Sequence, residues 1–133
     1  MCGAHVLSYW CRLQGGVALS SGEAELNSLI KGCAESLLLK HLRSEMGLDT
    51  LVDVYCDSSS ARGISNRDGV GKVKHLDLKQ LWSQERVQKG DLRILRIPRK
   101  DNAADALTHK LAGNELLRVM TSLRMLVSDT ALT

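Results

Sequence analysis

Three carboxylates occupy positions from which chemistry could follow. Glu25 falls in the first turns of a predicted helix, Asp57 directly after the apolar run Leu51–Cys56, and Asp105 one turn into a segment that follows Pro98. Asp57 thereby stands at the carboxyl end of a predicted strand, where open α/β sheets present their sites. Hard divalent cations take oxygen ligands, and acids on separate elements can converge on them. Two such ions ~3.5–4 Å apart hydrolyse a phosphodiester in line, one activating the attacking water and the other stabilising the leaving oxygen. Each acid also has a structural explanation. Glu25 suits the positive end of a helix dipole, Glu23 completes an S-x-x-E capping box with Ser20, and Asp101 suits an N-cap. Asp53 and Asp91 suit solvated strand-edge or turn positions.

Other metal chemistry is disfavoured. Cys2, Cys11, Cys33 and Cys56 are dispersed without a C-x-x-C pair, and His5, His41, His75 and His109 are equally scattered. Structural zinc sites draw their ligands from close pairs. No basic stretch followed by a long apolar one opens the chain, so the expectation is an intracellular protein, in cytoplasm or nucleus, with reduced cysteines acting as small buried hydrophobes. No apolar run approaches the ~18 residues that would span a bilayer, so no membrane partner is expected.

The elements that must position these acids follow from periodicity. Residues 5–12 are rich in strand-favouring side chains and precede the turn signal Gly15-Gly16. After the short apolar piece Val17–Leu19, Ser20 and Glu23 open a helix. Its apolar residues Leu26, Leu29, Ile30, Cys33, Leu37, Leu38 and Leu42 recur at helical spacing as far as Met46, and Gly47 stops it. Residues 51–56 read as a mostly buried strand, Ser58 to Ile64 as a short helix, and 66–72 as a loop. A second amphipathic helix runs over 74–89 to Gly90, and a strand over 92–97 is stopped by Pro98. Asp101 opens a third helix to about Leu111, with further helix over 114–126. Such alternation implies helices packed on a sheet, an α/β fold.

At 133 residues, 44% of them apolar, the chain fits one domain and is not disordered. The expected domain covers 1–127, with 128–133 as a tail. With no Phe, two Tyr and two Trp, it lacks the exposed aromatics of a base-stacking platform. Any nucleic acid would be held through its backbone. The net charge of +3 is uneven, because residues 70–110 carry ten basic and five acidic side chains. That stretch suits a polyanion; on charge alone an ordinary solvated surface is the better explanation.

Five blocks resemble the ribonuclease H domain of copia-type retrotransposon (Gag-Pol) polyproteins, and they come in the family's order. Val17-Ala18-Leu19-Ser20-Ser21-Gly22-Glu23-Ala24-Glu25 is similar to V-A-L-S-S/T-x-E-A-E, and Ser8-Tyr9-Trp10 with Gln14 resembles the preceding S-W-x-S-K-K-Q strand. Val54-Tyr55-Cys56-Asp57-Ser58 with Ser60-Ala61 is similar to Y-C-D-N-x-S-A, and Val73-Lys74-His75-Leu76-Asp77 to T-K-H-I-D. Ile97-Pro98, Asp101-Asn102, Ala104-Asp105 and Leu107-Thr108 are similar to V-P-x-x-D-x-x-A-D-x-L-T. Together the blocks cover roughly residues 5–111. An integrase-type strand transferase shares the fold but fits the Y-C-D and A-D-x-L-T blocks less well.

The resemblance implies a ribonuclease H-like fold, a mixed central sheet flanked by helices, and cleavage of the RNA strand of an RNA–DNA hybrid. It implies Mg²⁺ or Mn²⁺ as cofactor, two ions in the complete family site. Glu25, Asp57 and Asp105 carry over as catalytic residues and metal ligands. Lys72, Lys74 and His75 carry over as substrate-binding residues; His75 is equally explained as a polar first-turn residue, and His109 stands where the family has lysine. The family site has a fourth acid on its opening strand, about forty residues before the helix glutamate, whereas Glu23 is the first acid here. The expectation is therefore a domain without its first one or two strands, its activity weakened or lost, and a partner polypeptide that supplies those strands. A non-catalytic nucleic-acid-binding module and an inactive fold remnant are the alternatives.

Overall fold

The computed structural model describes residues 1, 5–11, 18, 20–66, 78–108 and 110–125. Helix α1 spans Ser21–Glu45, as its apolar spacing predicts. Ser20 caps it, the hydroxyl accepting the Glu23 N–H at 3.2 Å. The helix closes through Gly47, whose φ of +72° is a left-handed conformation that glycine adopts without strain. One stripe of α1, namely Leu26, Leu29, Ile30, Cys33 and Leu37, is buried. The offset stripe Leu38, Leu42 and Met46 is exposed.

Strand β1 (Asp53–Cys56) pairs in parallel with β2 (Arg93–Arg96), with Asp53 opposite Arg93 and Cys56 opposite Arg96. Parallel neighbours require a crossover, which helices α2 (Ser59–Ser65) and α3 (Leu78–Gln88) supply. Helix α1 packs on β1, α2 packs on both strands, and α3 packs against α1 and α2. The core joins the α1 stripe to Val52, Ala61, Leu92 and Ile94, with Val54, Cys56, Ile64, Trp82 and Val87 around it. On the other sheet face the Arg93 guanidinium grips the Asp53 carboxylate through two hydrogen bonds of 2.6 and 2.8 Å. That carboxylate raises the pKa of Arg93. At the amino end of β2, Asp91 receives Arg86 at 3.1 Å, and Lys40 reaches the Asp91 carbonyl at 3.0 Å. These bonds tie α1 and α3 to the entry of β2.

The chain divides into two compact units, Gln14–Pro98 and a second made of Met1–Leu13 with Arg99–Thr133. The first holds α1 to β2. The second holds two 3₁₀ turns, Arg99–Asp101 and Ala103–Leu107, and helix α4 (Gly113–Ser122).

Four expectations need correction. Among residues 5–11 only His5 forms a bridge, and no strand runs there. Strand propensity is realised only against a neighbour that accepts the backbone hydrogen bonds, and Leu7, Tyr9 and Trp10 are exposed. The strand expected as mostly buried over 51–56 starts at Asp53 and alternates between exposed and half-buried residues, with Leu51 exposed. Its outer face has no layer covering it among the described residues. In place of a third α-helix from Asp101 there are 3₁₀ turns, and the cap is Asn102, whose Oδ1 accepts the Ala104 N–H at 3.2 Å. Asn and Asp side chains compete locally with helical backbone bonds, which favours short turns. Where a larger mixed sheet is expected, the described residues form a two-stranded parallel one. The α/β class itself is observed. The Val17–Leu19 piece (except Ala18), residues 67–77 and the tail 128–133 lie outside the described residues.

Candidate functional site

The carboxyl end of β1 is shaped by a cap and a close helix approach. Directly after Asp57, Ser58 caps α2, its Oγ accepting the Ala61 N–H at 3.1 Å. The start of α2 abuts the start of α1: a Cβ at Gly22 would sit 2.9 Å from Ser60 Oγ. Glycine at position 22 therefore lets the two helix starts meet. Glu25 lies three residues further along α1, close to one turn, and so shares this end of the unit with Asp57.

The Cys56 thiol shows the proximity electrically. Its pKa is raised, chiefly by burial, and the Asp57 and Glu25 carboxylates push it the same way while Arg62 opposes them. Glu25 and Asp57 are both exposed, and neither makes a hydrogen bond or ion pair with the described residues. Two uncompensated carboxylates are the oxygen donors that a hard divalent cation selects, so their chemistry fits Mg²⁺ or Mn²⁺. Among the described residues no group of three or more His, Cys, Asp or Glu side chains stands close enough to hold a metal ion.

Asp105 belongs to the other unit, within the 3₁₀ turn Ala103–Leu107, where its Oδ2 accepts Arg99 Nε at 3.4 Å. Lys72, Lys74 and His75 lie outside the described residues, as does His109. Sequence reasoning missed Arg62 and Cys56 as neighbours of the acids. Helical phase could have found Arg62, because long side chains on a helix lean back toward its N-terminus, and Arg62 is four residues after the Ser58 cap.

Behind this end lies a second thiol. Cys33 is fully buried on α1, and burial, reinforced by the neighbouring Cys56, pushes its pKa up to about 11. In the unfolded chain a thiol titrates near ~8.5. A group raised on folding holds more protons in the native state between the two values, so stability is whole below pH ~8.5 and declines as pH rises toward 11. The decline is on the order of 3 kcal/mol. Urea titrations at pH 8 and 10.5 should show it, with Cys33→Ala flattening the dependence; an equally steep loss in that variant would exclude Cys33 as its source.

A pair of carboxylates at the carboxyl end of parallel, helix-covered strands is the usual placement of a site in an open α/β protein. The chain is homologous to a segment of retrovirus-related Pol polyproteins of plant transposons. It is 35% identical over 111 residues to the retrovirus-related Pol polyprotein from transposon TNT 1-94 of Nicotiana tabacum, covering 82% of this chain and 8% of that protein. Those from transposons RE2 and RE1 of Arabidopsis thaliana are 31% and 30% identical over 113 residues, each covering 83% of this chain and 8% of the relative. The chain thus spans a small fraction of the length of the curated relatives it matches. No family model matches the sequence, and no solved structure matches it. Among the described residues no helix is long and apolar enough to cross a membrane.

Proposed function

We propose that the chain is a retroelement-derived ribonuclease H-like domain that acts on the RNA strand of RNA–DNA hybrids. The observation that carries the reading is that Glu25 and Asp57 lie at one end of the unit, where the starts of α1 and α2 adjoin and both carboxylates act on the Cys56 thiol. They come from two separate blocks of the family pattern, and neither side chain is paired with the described residues. Glu25, Asp57 and Asp105 are the residues that would hold Mg²⁺ or Mn²⁺. Bound there, two ions would supply an activated water and stabilise the departing oxygen. The carboxylates orient those ions, and Lys72, Lys74 and His75 grip the phosphate backbone.

Slowed cleavage belongs to the same proposal, since three acids, where the family site has four, carry over to this sequence. Among the described residues each strand of the two-stranded sheet keeps one unpaired edge, and an open edge is a template for pairing, which supports a partner polypeptide that adds strands. An intracellular place of action goes with this substrate. A second reading, a module that binds nucleic acid without cutting it, is favoured by the excess of basic over acidic residues across 70–110.

A labelled RNA–DNA hybrid incubated with purified chain separates the two. Mg²⁺-dependent cutting of the RNA strand, stopped by chelation, is the result expected of the nuclease. Salt-sensitive binding with no cutting at any Mg²⁺ concentration would establish the binding module. Neither cutting nor binding would remove both.

A further inference from the structure

Arg62 is the cation of the acidic end, and neither the family pattern nor the charge distribution over 70–110 singles it out. Its Nε donates to the Ser58 carbonyl at 3.2 Å, which folds the side chain back along α2 to the helix start. That start immediately follows Asp57 and adjoins the first turns of α1 through Gly22 and Ser60. The guanidinium is therefore held at the end where Glu25 and Asp57 stand, and its charge is felt at Cys56 together with theirs.

No ion pair forms among the three. Within the described residues the Arg62 guanidinium makes its one side-chain hydrogen bond through Nε, so its two terminal nitrogens are not engaged by those residues. Opposite charges that share one end of a molecule without neutralising one another suit a ligand that carries both signs. A phosphodiester accompanied by a divalent cation is such a ligand. The planar fork matches two phosphate oxygens, and the carboxylates match the cation. Without a cation, two carboxylates repel a phosphate, and a fixed guanidinium beside them offsets that repulsion.

We propose that Arg62 binds one backbone phosphate of the nucleic acid beside Glu25 and Asp57. The inference rests on the hybrid-processing reading above and adds to it a residue whose hold on the substrate needs no metal. It is tested by binding alone. The fluorescence anisotropy of a short labelled RNA–DNA hybrid is followed in EDTA over a salt series, using the full chain.

Arg62→Ala should weaken binding about ten-fold, the size of one charge-assisted hydrogen-bonded contact, and lower the log–log salt slope by about one. Arg62→Lys should keep the slope and recover part of the affinity, because it restores the charge without the fork. Lys31→Ala removes an exposed cation of α1 outside the basic stretch 70–110, and should change neither quantity. Far-UV circular dichroism confirms that each variant keeps its helices. Native affinity and slope in Arg62→Ala, or equal losses in Arg62→Ala and Lys31→Ala, would overturn the role of Arg62 and leave the hybrid-processing reading intact. Absence of any hybrid binding by the unaltered chain would overturn both.

Discussion

Asp57→Asn should lower Mg²⁺-dependent cleavage of an RNA–DNA hybrid by about a hundred-fold, equivalent to ~2.7 kcal/mol of transition-state stabilisation. Asparagine keeps the size and shape of the side chain and removes its negative charge, which is the property a divalent cation requires. The fold should not notice. Asp57 is exposed and makes no hydrogen bond or ion pair with the described residues, and surface changes of this kind stay within about 0.5 kcal/mol. The turn after β1 depends on the Ser58 hydroxyl, bonded to the Ala61 N–H, and not on the aspartate. Cleavage rates of a labelled hybrid, read beside a urea unfolding curve, therefore separate function from folding. Unchanged cleavage with an unchanged unfolding midpoint would remove Asp57 from the site.

Leu26→Ala should cost the helix–sheet unit about 3 kcal/mol, within the range seen for buried leucines. Leu26 is 1% exposed and belongs to the α1 stripe that meets Val52, Ala61, Leu92 and Ile94 across the core. The loss has two parts, the transfer free energy of the deleted groups and the cavity they leave. The cavity should persist, because helices on both strands and the paired Asp53 and Arg93 limit collapse. Against a total stability of about 5–15 kcal/mol, that is a large share. Urea or thermal unfolding followed by circular dichroism measures it. Leu38→Ala, on the exposed stripe of the same helix, should shift the midpoint far less. Equal effects at the two positions would show that the buried stripe of α1 is wrongly assigned.

Much of the helix–sheet unit was legible because local signals agreed there. Ser20 and Gly47 bracket α1 as cap and stop, Ser58 opens α2, and Gly90 ends α3 with the positive φ its position predicts. The strands over 53–56 and 93–96 follow from short apolar runs ended by Asp57 and Pro98. The failures share a cause. Residues 5–11 have strand-favouring composition but only His5 is bridged, and the apolar Leu51 is exposed among the described residues. After Pro98, alanines favour helix, but Asn102 bonds its own local backbone and short 3₁₀ turns result.

The candidate site divides in the same way. Its acids were readable by type and place, Glu25 at a helix start and Asp57 at a strand end. The approach of Gly22 to Ser60 and the backward fold of Arg62 were not.

Sequence by itself determined the limits of α1, the start of α2, the α/β alternation from α1 to β2, and which carboxylates lie at element ends, since capping, periodicity and turn chemistry act over a few residues. Only tertiary structure decided that Glu25 and Asp57 share an end, that Arg62 stands with them, and that Cys33 is sealed from water. Those facts arise from packing between segments distant along the chain, and no local pattern encodes a distance that depends on two surfaces fitting together.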